Sequence, residues 1–115
     1  MDEDDERQVM CSGCGAIVPE GEIHVIPHFN ETVLGYVTTF RCLRCWHDGL
    51  AVTRSRLAAA DRDELASLAG FFERYGYIVN EARRGDPPDR VRPILTHLIG
   101  MLESGAIRLA IGPAA

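Results

Sequence analysis

An α+β fold is predicted by three features of the 115-residue chain: two Cys-x-x-Cys pairs, β-patterned sequence between them, and a helical period beyond residue 55. The pairs are Cys11-Ser12-Gly13-Cys14 and Cys42-Leu43-Arg44-Cys45, separated by 27 residues, and the chain has no other cysteine. This length supports one compact unit or a metal-nucleated module with a small second lobe. The expected division is an acidic tail at 1–8, a β-rich module at 9–54 and a mainly helical lobe at 55–115.

The tail is led by Asp2-Glu3-Asp4-Asp5-Glu6, a run of like charge with no apolar partner, and is expected to stay outside the fold. β pattern begins at Ile17. Residues 22–29 alternate, residues 32–40 are rich in β-branched and aromatic side chains, and Asn30-Glu31 between them suits a turn, which predicts an antiparallel hairpin. Pro27 lacks an N–H and pushes the first strand towards an edge. Leu50-Ala51-Val52-Thr53 reads as a third short strand, so the module is expected to hold a hairpin or a three-stranded sheet.

Further on, Asp61 followed by Glu64 has the capping-box form, and Leu65, Leu68, Ala69 and Phe72 share a face, predicting a helix over 61–75 that stops at Gly76. Gly, Pro and Asp make residues 81–89 a loop. A second helix is expected over 89–104, with Val91, Ile94, Leu95, Leu98, Ile99 and Leu102 on one face, Pro93 confined to the first turn and Gly105 as the stop. Ile107, Leu109 and Ile111 alternate with other residues, which predicts a short terminal strand paired with Tyr77-Ile78-Val79.

The spacing within each cysteine pair turns both sulfurs towards one ion, and two such pairs complete a tetrahedral cage. Gly13 and Gly15 suit the tight first turn, and the hairpin would bring the two turns to one end. Cys11, Cys14, Cys42 and Cys45 are therefore the expected metal ligands. With these motifs, residues 9–54 resemble the zinc-ribbon superfamily. That resemblance implies a β module around one structural Zn²⁺ per chain, and no single function, because zinc ribbons serve transcription, ribosome, replication and enzyme proteins alike. A rubredoxin-like iron centre has similarly spaced pairs and would imply electron transfer; Trp46 in place of a glycine after Cys45, and no proline after Cys42, weigh against it. Redox dithiol chemistry would need a Cys-x-x-Cys at the head of a helix, whereas Cys11 precedes β sequence. Four thiolates leave no open coordination position, so no catalysis is expected.

The formal charge of −5 resides in residues 2–6, because the remaining 12 acids balance 12 arginines. Four thiolates around a divalent ion would add two further negative charges. The acidic N-terminus lacks the positive charge of an export signal, and no apolar run approaches the roughly 20 residues that cross a bilayer, so a cytoplasmic, thiol-reducing setting without membrane contact is expected. Arg41, Arg44, Arg54 and Arg56, with Tyr36, Phe40 and Trp46 nearby, make the best candidate nucleic-acid contacts. The acidic total favours instead that Trp46 packs inside and the arginines offset the thiolate charge. His24, His28 and His47 are expected to be exposed or to lie just outside the ligand set, and His97 to border the core. The wide apolar stripe on the helices points to another protein, or a second copy, as the partner. The resulting expectation is a non-catalytic adaptor or regulator acting through protein contacts.

Overall fold

The structure, a computed structural model, describes residues 7–109. Strand β1 (Gln8–Met10) pairs antiparallel with β2 (Ile17–Pro19), and the first cysteine pair lies in the loop between them. A single 3-10 turn at Glu20–Glu22 leads to β3 (His24–Asn30), which pairs with β4 (Gly35–Arg41) in a register running from His24 opposite Arg41 to Asn30 opposite Gly35. Asn30 closes this hairpin: its Oδ1 accepts hydrogen bonds from the N–H groups of Thr32 (2.8 Å) and Val33 (3.1 Å), a side-chain turn of the kind asparagine favours. Four helices follow: α1 (Leu43–Leu57), α2 (Arg62–Glu73), the short α3 (Asn80–Arg83) and α4 (Pro88–Ser104).

Helix α1 replaces the expected third strand. Leu50 and Thr53 fall on its inner face with Trp46 and Leu57, at helical spacings of four, three and four, and all four are buried. Burial at that period outweighs the β preference of Val52-Thr53. The expected boundary between 54 and 55 therefore falls inside α1. Gln8, placed in the tail by its acidic neighbours, opens β1, while residues 1–6 lie outside the described residues.

Helix α2 starts as its sequence implies, with the Asp61 carboxylate accepting from the Glu64 N–H at 2.9 Å. The other half of the capping box is absent because the Glu64 carboxylate is engaged elsewhere, accepting from Tyr36 Oη at 3.1 Å and lying 2.6 Å from Arg56 Nε. Helix α4 begins at Pro88 and ends at Gly105, whose φ of 80° is the left-handed conformation of a glycine stop. Pro93 sits inside α4 rather than in its first turn, on an exposed part of the helix where the missing N–H is least costly.

The hairpin β3–β4 packs on α1 and α2, and α4 packs across both helices. One hydrophobic cluster joins Val25, Ile26 and Tyr36 of the hairpin to Leu50, Leu68, Phe72, Leu95 and Ile99 of the helices. Val91, Leu95, Leu98, Ile99 and Leu102 are all buried in it, so the chain itself covers the α4 stripe that the sequence reading assigned to a partner. His97 is exposed rather than beside the core. No terminal strand forms among the described residues, and Ile111 lies outside them. Arg108 instead donates to the carbonyls of Gly21 (2.8 Å) and Ile23 (2.6 Å), fastening this segment to the start of β3. No helix of the described residues is long and apolar enough to cross a membrane.

Candidate metal centre

The first pair is held in a tight turn by backbone bonds. Cys11 N–H donates to Ala16 O at 2.8 Å and Gly15 N–H to Cys11 O at 2.9 Å, while Gly15 takes a φ of 78° that disfavours a side chain. Ser12 N–H donates to Phe40 O at 2.7 Å, which fastens this knuckle to the end of β4, directly ahead of the second pair. The second pair differs from the two-knuckle arrangement expected, because it opens α1; a Cys-x-x-Cys therefore does head a helix, and it is the convergence of its sulfurs with those of the first pair that sets it apart from a redox dithiol. Cys42 is the N-cap residue and Cys45 lies in the first turn, with Trp46 N–H donating to Cys42 O at 2.8 Å.

All four Sγ atoms lie within 4.8 Å of one another, and no histidine or carboxylate joins this cluster among the described residues. Cys14 Sγ and Cys42 Sγ, one from each pair, are 3.8 Å apart. A disulfide requires about 2.0 Å. A tetrahedron of thiolates with metal–sulfur bonds of about 2.3 Å has edges of about 3.8 Å, so the separation fits a shared ion. Gly13 adds a second test of fit: a Cβ there would stand 2.9 Å from both Cβ and Sγ of Cys45, so only glycine lets the knuckle close over the helix start.

Electrostatics at the site also favour an ion. Burial raises the Cys11 thiol pKa, but backbone N–H groups of Cys42, Cys14 and Gly13 outweigh it and bring the value down to about 6. The Gly13 donor is 3.3 Å from Cys11 Sγ. Cys45 is pushed up to about 12, first by its hydrogen bond to Cys11, then by burial and by the sulfurs of Cys14 and Cys42. The protein thus favours the thiolate at Cys11 and opposes it at Cys45, and a bound cation would supply the charge that offsets this opposition. The four cysteines are arranged to bind a metal ion.

Trp46 is buried beside this centre, with His24 stacked on it at 4.9 Å and His47 tilted against it at 4.3 Å. Burial, then Arg108 and His47, lower the His24 pKa. His28 and His47 are exposed. The four arginines do not share one surface. Arg41 and Arg44 flank Cys42 at the head of α1, whereas Arg54 and Arg56 are ten or more residues further along it, about 15 Å away. Arg54 pairs with Glu103, and Arg56 pairs with Glu64 while lying 3.7 Å over the Phe29 ring.

The network of Tyr36, Glu64 and Arg56 had no local sequence signal, because its members are brought together from β4, α2 and α1. Burial and the adjacent Glu64 carboxylate raise the Tyr36 pKa, so its hydroxyl remains a donor. Fold and site together define a small protein of mixed helices and antiparallel hairpins with a four-cysteine cluster arranged to bind a metal ion. Compared with known protein families, with curated proteins and with solved structures, the chain matches none.

Proposed function

We propose that the chain is a zinc-binding, non-catalytic adaptor or regulator, in which the ion fastens the N-terminal knuckle to the head of α1 and the assembled end contacts another protein. One observation carries this reading: four thiols from two elements converge within 4.8 Å, with no other ligand type in the group. Tetrathiolate sites suit Zn²⁺, and a closed set leaves no position for water or substrate. The likeness to zinc ribbons rests on the first knuckle and the hairpin, while the second pair follows its own helical arrangement. Met10, Ile17 and Leu43 support a protein partner: they adjoin or lie within the ligand-bearing segments and are 60%, 56% and 59% exposed. This moves the expected contact from the covered helices to the metal end.

Protein purified without added metal is expected to contain about one zinc per chain and to show no visible absorption band. Iron with thiolate charge-transfer bands would instead establish an electron-transfer centre. A photo-crosslinking amino acid at position 17 is expected to yield protease-sensitive adducts in cells. Nuclease-sensitive adducts would favour the nucleic-acid reading through Arg41 and Arg44.

A further inference from the structure

Three arginines of the described residues are half-buried: Arg41, Arg56 and Arg92. Arg56 faces Glu64, and Arg92 donates to the carbonyls of Leu57 (3.1 Å) and Ala60 (2.7 Å). The Nε atoms of Arg41 and Arg56 are both sealed from solvent without a hydrogen-bond partner of good geometry, but Arg56 has Glu64 beside it and Arg41 has no ion pair among the described residues. A half-buried cation with one donor sealed in that state is costly unless an anion stands nearby. The position of the guanidinium indicates which anion. Arg41 Nη1 lies 3.2 Å from the point where a Gly13 Cβ would stand, and Cys45 Sγ lies 2.9 Å from the same point. On its other side, Nη1 is 3.6 Å and Cζ 3.9 Å from the corresponding point at Gly49 of α1. The guanidinium therefore lies within reach of both the knuckle and α1, the two elements that supply the two ligand pairs, beside the space that Gly13 leaves open.

We infer that Arg41 is the counter-charge of the metal centre, a positioning residue that offsets part of the net −2 charge of a divalent ion with four thiolates. This inference rests on the zinc reading above. By lowering the cost of gathering four anionic sulfurs, the guanidinium slows metal release, and it draws anionic reagents towards the sulfurs. Arg44, exposed on the same turn, cannot substitute for it because its charge is dispersed in water.

The test compares the full-length wild type with Arg41→Met and Arg41→Lys, each loaded with zinc. Release to excess chelator is expected to be about 10-fold to 100-fold faster in Arg41→Met, the range typical of groups supporting metal ligands, and close to wild type in Arg41→Lys. The ratio of cysteine alkylation rates by anionic iodoacetate and neutral iodoacetamide should fall in Arg41→Met and be retained in Arg41→Lys. Added salt should lower that ratio in the wild type. Release from Arg41→Met at the wild-type rate, or equal failure of both variants, would overturn the inference. Should Arg41→Met not fold, a wild-type ratio indifferent to salt would overturn it alone. Failure of the zinc reading is visible separately, as wild-type protein that carries no stoichiometric zinc.

Discussion

Stripping the metal from the loaded protein is expected to open one end of the molecule and leave the rest folded. The amides of Cys11, Ser12 and Gly15, bonded to Ala16, Phe40 and Cys11, should lose hydrogen-exchange protection by roughly two orders of magnitude or more, equivalent to about 3 kcal/mol. The Tyr36 amide, which donates to Ser67 Oγ at 2.9 Å between β4 and α2, should keep its protection. The reason is where the apolar surface lies. The β1–β2 knuckle contributes nothing to the shared hydrophobic cluster, with Met10 and Ile17 exposed, so its order depends on the ion. Zinc binding by small finger peptides is worth about 10–16 kcal/mol, ample to order some 15 residues. Complete unfolding on chelation, or a knuckle that stays protected, would contradict this division.

The second large effect is expected at Phe72, which is fully buried and meets Phe71 edge-on at 5.5 Å and Tyr77 at 6.5 Å. Phe72→Ala should cost about 3–5 kcal/mol, because neighbours held by α2 and α4 cannot close the cavity. Against a total of about 5–15 kcal/mol, that is a large share. Urea unfolding followed by far-ultraviolet dichroism should show the midpoint falling with an unchanged slope. The exposed Ile78, replaced by alanine, should change little. A Phe72→Ala loss below about 1 kcal/mol would show that hairpin and helices do not rely on one core.

Local chemistry made some elements legible in the sequence. The β3–β4 hairpin announced itself by alternation and by Asn30, α2 by Asp61, and α4 by its apolar period and Gly105. These signals act within a few residues, and the structure uses them where they stand. Helix α1 was missed although Trp46, Leu50 and Leu57 carry its period, because two β-branched residues and a charged segment masked them. That error concealed the most informative feature of the site, a cysteine pair at the head of a helix. The terminal strand failed for a different reason: alternation at Ile107 and Leu109 requires an edge to pair with, and residues 77–79 form none. Arg41 was singled out as one of four similar arginines. Its place beside Gly13 and Cys45 distinguishes it, and spacing along a chain does not reveal which side chain lies between two elements.

The capping of α1 by Arg92 bears on what ends that helix. After Leu57 come Ala58, Ala59 and Ala60, three strong helix formers with no glycine or proline to stop them. The hydrogen bonds from Arg92 that occupy the Leu57 and Ala60 carbonyls span 35 and 32 residues of sequence. Beside Arg92, the Asp61 cap and the local bonds from the Ala59 and Ala60 amides to the Arg56 and Leu57 carbonyls oppose extension of α1 through the alanines. The corner between α1 and α2 is thus held in part by a side chain of α4, so a local feature of the chain depends on a residue 35 positions further along it.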